Sequence, residues 1–298
     1  MTEPAVLYCV GATKAGTSWF YRLLHDHPDC ALPAVKEAHY WDTFTTPERD
    51  KQLAAFDLRL NELRAAKVLA EAADRGWQIR NLDRRIGDMA ALMDVVAGDR
   101  NDDTAYLAWL TQGRGVARIY ADMTPNYATL SDALLDRMVA AAPLTKVIYL
   151  IRDPLDRLWS HIRMQAHRQR QSHEIYEKKA NNILYRMLNR GQETHILARG
   201  DYAGVISKLR RVVPADRLLV AFAETLLTAD GLARVCAFLG IGPVDVPAQA
   251  VHDGRPVAML EKLRTPAQKL LFEQYDWVAR NVGPLPANWQ NNCVRMTA

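Results

Sequence analysis

Ala5-Val6-Leu7-Tyr8-Cys9-Val10 runs directly into Gly11-Ala12-Thr13-Lys14-Ala15-Gly16-Thr17-Ser18, and that loop runs into Trp19-Phe20-Tyr21-Arg22-Leu23-Leu24. The first run is continuously apolar or β-prone, the pattern of a strand covered on both faces. The third places Phe20, Leu23, Leu24 and His27 on the inward side of a helix. Strand, glycine loop and helix in immediate succession set the fold class. Working outward, three more strand-like runs occur at 118–122, 146–151 and 218–222, with amphipathic helical stretches between them. That alternation predicts an α/β fold in three layers around a central, mostly parallel sheet. Residues 47–115 are densely charged, carry Leu53, Phe56, Leu60 and Leu63 at helical spacing, and include a helix start at Asn101-Asp102-Asp103-Thr104. They are expected to form a helical insertion, at about 47–115, within one domain spanning 1–298. Residues 226–239 and 260–282 read as later helices, the second ended by Gly283-Pro284-Leu285-Pro286.

A chain of 298 residues, 49% hydrophobic and 24% charged, buries a sizeable core without disulfides. Thirty-eight Lys+Arg against 34 Asp+Glu leave a net charge of +4, too small to argue for a nucleic-acid or membrane-surface partner. The arginines at 157, 163, 168 and 170 spread around one helix and no stacking aromatics interleave with them. They read as a solvated face with one nucleotide contact, so no nucleic-acid partner is expected. Cys9, Cys30, Cys236 and Cys293 form no CxxC pair and have no histidine at zinc spacing, so no metal site is expected. Met1–Pro4 lacks a basic n-region and no run is long enough to span a bilayer. The expectation is a cytoplasmic protein with no transmembrane segment.

The glycine loop points backbone N–H groups and the positive end of a helix dipole at one spot, which suits a phosphate, as in P-loop folds. It nearly matches GxxxxGK[ST], but Thr17 follows Gly16 and the lysine stands earlier, at Lys14. A nucleoside-triphosphatase lysine sits directly after the second glycine, beside magnesium; Lys14 instead projects from the crown of the loop. The strand at 146–151 gives a second signal, because it leads into Arg152-Asp153-Pro154-Leu155-Asp156-Arg157-Leu158-Trp159-Ser160-His161. Asp153 and Pro154 make an N-cap and first helical residue, and Leu155, Leu158, Trp159 and Ile162 the buried stripe. Arg152 and Ser160 lie off that stripe and can converge on one anion.

Taken together, these motifs resemble the sulfotransferases that use 3′-phosphoadenosine 5′-phosphosulfate (PAPS), nearest the glucosaminyl 3-O-sulfotransferase branch and bacterial sulfotransferases. The resemblance covers most of the chain except the insertion. It implies that Lys14, Ala15, Gly16, Thr17 and Ser18, in the place of a KxGTS loop, cradle the 5′-phosphosulfate. Arg152 and Ser160 then match the segment that holds the 3′-phosphate, with His161 one residue short of the usual aromatic. The likeness extends to Thr124-Pro125-Asn126-Tyr127, to Phe238-Leu239-Gly240 and to Leu285-Pro286 with Trp289. Val251–Pro256 falls where the family closes a loop over the nucleotide, which makes Arg255 a further expected contact.

Lys36-Glu37-Ala38-His39-Tyr40-Trp41-Asp42 resembles the KExHFFD stretch of the 3-O branch, in which the glutamate is the general base and the histidine and aspartate support it. The residue types suit that role, since transfer to a hydroxyl needs a proton acceptor. Glu37 and His39, two apart in an extended segment, face one side. Asp122 is the rival base, with a strand-end cap as its alternative use. Heparan-type relatives carry lysine where this chain has Met123, which argues against a heparan-like acceptor. Tyr40, Trp41, Tyr106, Trp109 and Tyr127 either line an acceptor pocket or form core.

The implied activity is that of an EC 2.8.2-type enzyme, direct in-line transfer of a sulfuryl group from PAPS to an acceptor hydroxyl, or to an amine. Adenosine 3′,5′-bisphosphate is the implied second product, and no metal takes part. The acceptor is expected to be a small molecule or a glycan, and oligomeric state is left open. The rivals are a P-loop small-molecule kinase using ATP and a nucleotide-binding module without catalysis.

Overall fold

The computed structural model describes residues 3–245 and 257–293. At its centre lie β1 (Ala5–Gly11), β2 (Cys30–Ala31), β3 (Ile119–Asp122), β4 (Thr145–Ile151) and β5 (Leu218–Phe222). They pair in the order β2-β3-β1-β4-β5, and every pairing is parallel. All of β1 is buried, and all of β4 except Lys146. Successive side chains of a strand point to opposite faces, so both faces of the sheet are covered and the architecture has three layers. β2 had no counterpart in the sequence reading, because two residues carry no periodicity.

The chain leaves β1 toward β2 on one flank and leaves β4 toward β5 on the other. The neighbouring carboxyl ends of β1 and β4 therefore form the switch point at which an open α/β sheet leaves a crevice. Leu7 sits opposite Ala121 of β3 and Lys146 of β4, and the β1–β4 ladder shifts register between Cys9 and Gly11, just where the glycine loop departs.

α1 (Thr17–His25) follows that loop. The insertion consists of α2 (Thr46–Ala72), α3 (Gly76–Ala97) and α4 (Thr104–Thr111). Thr45 accepts a bond from the Glu48 amide and Pro47 sits in the first turn, which fixes where α2 begins. Phe56 and Leu60 join the main core, while Leu63, Ala70 and Leu82 close a small one between α2 and α3. A 3-10 turn (Pro125–Thr129) and α5 (Asp132–Ala140) connect β3 to β4. Then come α6 (Pro154–Gln169), α7 (Tyr176–Arg190), α8 (Thr194–Ala198) and α9 (Tyr202–Val212), and after β5 α10 (Ala223–Leu226), α11 (Ala229–Leu239), α12 (Glu261–Asn281) and α13 (Ala287–Gln290). The stretch expected as one helix from 226 is split: Leu226 ends α10, and Thr228 caps α11 by accepting from the Gly231 amide.

Two side-chain expectations resolve here. Tyr40, Trp41, Tyr106, Trp109 and Tyr127 are core, with Tyr40 stacked on Tyr106 at 4.2 Å. Arg157 is not on a solvated face but buried, at 1% exposure. Among the described residues no helix is long and apolar enough to cross a membrane.

Candidate active site

The loop after β1 is shaped by two left-handed residues, Lys14 (φ 72°) and Gly16 (φ 90°). Gly16 caps α1, and its backbone conformation rather than lack of space favours glycine, since an added Cβ would meet nothing nearer than Ala223 Cβ at 3.9 Å. The Ala15 amide donates to Ala12 O, and the Trp19 and Phe20 amides donate to Gly16 O. Among the described residues the amides of Lys14, Gly16, Thr17 and Ser18 have no such acceptor, so the loop keeps its donors for a ligand. The Lys14 ammonium is held below its usual range by burial first, then by the neighbouring Arg152, Arg163, Arg168 and Lys36. So many cations around one loop make an anion trap.

Arg152 stands at the end of β4, and its backbone is fixed from several sides. The Tyr202 hydroxyl donates to Arg152 O at 2.6 Å. Asp153 caps α6 by accepting from the Asp156 amide at 2.9 Å, and also accepts from the Tyr275 hydroxyl at 3.0 Å and the Asn292 amide at 3.1 Å. Burial pushes the Asp153 carboxyl up to about 6. Among the described residues the Arg152 guanidinium itself has only a loose contact, with Asp156 at 4.0 Å, and stays available. One helical face of α6 presents Ser160, Met164 and Arg168, four residues apart, to the same cleft. His161 points the other way, fully buried 3.4 Å from Arg157, and burial followed by the Arg157 charge pushes its pKa down to about 2.

Opposite the loop, Lys36 Nζ donates to Glu37 Oε1 at 2.7 Å and to Thr17 Oγ1 at 3.4 Å. His39 Nε2 lies 3.6 Å from Glu37 Oε2, and His39 Nδ1 lies 2.8 Å from Asp42 Oδ2. The three side chains meet as the motif implied, although not by extended alternation, because His39 is left-handed at φ 51°. Thr124 holds that turn by accepting from the Ala38 amide at 3.0 Å, Tyr127 OH accepts from the Tyr40 amide at 3.0 Å, and Asn126 donates to Asp42.

Charge follows from this packing. Burial alone disfavours the Glu37 carboxylate, but the hydrogen bond to His39 and the Lys36 charge outweigh it and hold Glu37 below the ordinary carboxylate range. Burial likewise disfavours the His39 cation, and the bonds to Asp42 and Glu37 override it, raising His39 to about 10. At neutral pH Glu37 is a carboxylate, 43% exposed to the cleft, and His39 is an imidazolium.

The cleft holds about 810 Å³ and gathers Lys14, Gly16, Thr17, Ser18, Glu37, His39, Asp42, Arg152 and Ser160 from three separate stretches. Ala15 packs beneath the loop in the core. Asp122 does not line the cleft. It is 2% exposed, and it is not a cap on backbone N–H groups either: its oxygens accept from Thr124 Oγ1 at 2.6 Å and from the Tyr106 and Tyr127 hydroxyls, each at 2.8 Å. Burial raises its carboxyl pKa. Asp122 thus anchors the residues that hold the Glu37 turn. Arg255 lies outside the described residues.

The description "Sulfotransferase family" belongs to the family model that matches residues 5–245. This chain belongs to the sulfotransferase family. Among solved structures it is similar to a sulfotransferase from Alicyclobacillus acidocaldarius, 20% identical over 97% of this chain and 100% of that chain, with a TM-score of 0.61. That likeness is one of fold. The sulfotransferase domain of the Synechococcus PCC 7002 olefin synthase (17% identity, 90% and 94% covered, TM-score 0.47) also matches. So does the sulfotransferase domain from the curacin biosynthetic pathway (17% identity, 98% and 97% covered, TM-score 0.43). No curated protein matches the sequence significantly.

In this sulfotransferase the structure adds residues that sequence reasoning did not assign to the site. Lys36 stood in the quoted motif without a role, and it bridges Glu37 to Thr17. Arg168 was legible from its spacing to Ser160. Arg199, beyond α8, had no signal at all, yet it lines the cleft. A neighbouring cavity of about 610 Å³, with Trp19, Leu23 and Pro28 in its wall, shares Trp19 with the cleft.

Proposed function

We propose that this sulfotransferase takes PAPS as donor and moves its sulfuryl group to an acceptor hydroxyl, with adenosine 3′,5′-bisphosphate as second product. The observation that carries this reading is a pair of anion subsites in one cleft. The free loop amides with Lys14 form one, and Arg152 with Ser160 on α6 form the other. A nucleotide with anionic groups at both its 5′ and 3′ positions fits two such subsites, whereas ATP has phosphates at one end only. The cavity beside Trp19 is wide enough for a purine ring.

When bound, PAPS supplies an electrophilic sulfur whose bond to the bridging phosphate oxygen breaks as the acceptor oxygen bonds to it. The loop amides and Lys14 hold the 5′ end and meet the charge that gathers on the bridging oxygen. Arg152 and Ser160 hold the 3′-phosphate and fix the register of the nucleotide. Glu37 accepts the acceptor proton. His39 keeps Glu37 ionised and oriented, and Asp42 keeps His39 charged. The acceptor side is lined by polar groups such as Asp42, Thr43, Gln52 and Asn126, which suits a small polar molecule or a sugar hydroxyl.

The test is acceptor-dependent release of adenosine 3′,5′-bisphosphate from PAPS across a panel of sugars, phenols and amines. Release with ester formation supports the reading. ADP formation from ATP, with no use of PAPS, would establish the kinase instead.

A further inference from the structure

The insertion grips the Lys36–Asp42 segment at both ends. At the near end, Asp88 of α3 accepts from the Ala34 amide at 2.6 Å and is itself fixed by Arg114, whose two terminal nitrogens donate to its two oxygens at 3.0 Å each. At the far end stands Arg100, in the link between α3 and α4. Its guanidinium donates to Thr43 O at 2.6 Å, to Thr43 Oγ1 at 3.1 Å and to Tyr40 O. It rests over the Tyr40 and Phe44 rings, 4.0 and 4.1 Å from their centroids. Arg137 secures the link by donating to Arg100 O at 2.8 Å and pairing with Asp103 at 3.0 Å, and Asp103 accepts from the Tyr40 hydroxyl at 2.9 Å.

Every side-chain hydrogen bond of Arg100 among the described residues falls on this one turn, and none goes to a carboxylate. A guanidinium used on two backbone carbonyls and a hydroxyl fixes a geometry rather than neutralising a charge. The geometry is that of His39. Thr43 is 2% exposed, and with Arg100 donating to its oxygen its own proton is directed on to His39 O, 2.8 Å away. His39 sits at φ 51°, a conformation uncommon outside glycine, and that bond helps to hold it there. Asp42 lies in the same turn, between the two carbonyls that Arg100 grips. Together with the bond from Asn126, the grip sets the 2.8 Å contact of Asp42 with His39.

We propose that Arg100 is a positioning residue for the proton acceptor: it locks the 39–43 turn that keeps His39 and Asp42 aligned on Glu37, and the insertion thereby braces the base. This rests on the reading of Glu37 as the base. Arg100 does not line the cleft and acts only through that turn.

The charges around His39 are Glu37, Asp42 and Lys36 of its own segment and Asp122 of β3. Histidine NMR on the full chain follows its titration without any nucleotide, the His39 signal being the one lost in His39→Asn. The midpoint lies at about 10 in the locked turn. In Arg100→Met, which keeps the stem over the rings and removes the bonds, it should fall by about 1 pH unit or more toward the ordinary 6.5. Arg100→Lys keeps a cation that cannot span both carbonyls and should recover part of the shift. Thr43→Val cuts the relay to His39 and should lower the midpoint too; it carries the decision if a thermal melt shows Arg100→Met unfolded. Leu82→Ala, in the small core between α2 and α3, is the control, and should lower the melting temperature but leave the midpoint in place. With PAPS and an acceptor, Arg100→Met should lower kcat about tenfold or more while bisphosphate affinity stays within about threefold. An unchanged midpoint in the folded variants, or an equal drop in Leu82→Ala, would overturn the inference. A lowered midpoint with kcat unchanged would instead strike the reading of Glu37 as the base. If the unaltered protein does not use PAPS, the donor reading falls and the midpoint alone decides on Arg100.

Discussion

Glu37 is ionised before any acceptor arrives, because His39 and Lys36 stabilise its charge more than burial opposes it. Glu37→Gln keeps the shape and removes the proton acceptor. Turnover should fall by about 100-fold to 10,000-fold, with bisphosphate affinity nearly unchanged and the melting temperature lowered only by the lost pairing with His39 and Lys36. Asp122→Asn should do the opposite. Its new NH2 group would face one of three hydroxyl donors, costing about 1–3 kcal/mol of stability, so the melt rather than the catalytic rate constant is the readout. His39 adds a pH signature. Its pKa is about 10 in the folded chain against an ordinary 6.5, so its stabilising effect is complete below about pH 6.5 and is lost as pH rises through about 10. The melting temperature of the unaltered protein should drop more steeply between pH 7 and 10 than that of His39→Asn.

At the scale of elements, α6 is the platform on which the proposed 3′ subsite depends. Its cap was legible, since Asp153-Pro154 after a strand is a helix start by residue type alone. The return contacts from Tyr275, Asn292 and Glu224 were not, because they come from segments 71 to 139 residues away. Asp153→Ala removes the cap and strands the Tyr275 hydroxyl and the Asn292 side-chain amide together, and should lower stability by about 2 kcal/mol or more in urea titration. The same distinction explains the rest of the sequence reading. Strands β3, β4 and β5 were placed to within a residue by their apolar runs, and the insertion at 47–115 resolved into α2, α3 and α4. The two-residue β2 and the split between α10 and α11 left no pattern to read. Arg157 looked like any surface arginine, because the Ile196–Gly200 turn that buries it is distant in sequence. The meeting of Glu37 with His39 was expected, but through extended backbone; the left-handed His39 that achieves it has no residue-type signature.

Over the whole molecule, the parallel sheet sets the ends of β1 and β4 side by side, and the glycine loop and α6 hang from those two ends. Lys14, Lys36, Arg152, Arg168 and Arg199 converge there with His39, opposed by Glu37 and Asp42. Those fixed cations supply the positive field that a divalent ion would otherwise provide. Turnover of PAPS should accordingly persist in excess EDTA, and a strict magnesium requirement restored on adding the ion back would count against this. The central claim is the donor, read from two anion subsites in one cleft. Isothermal calorimetry comparing adenosine 3′,5′-bisphosphate, AMP and ATP on the unaltered chain and on Arg152→Ala tests it most directly. The account predicts that the bisphosphate binds on the order of tenfold to a hundredfold more tightly than AMP, and that Arg152→Ala erases most of that margin. Equal affinity for AMP and the bisphosphate, or a preference for ATP, would contradict it.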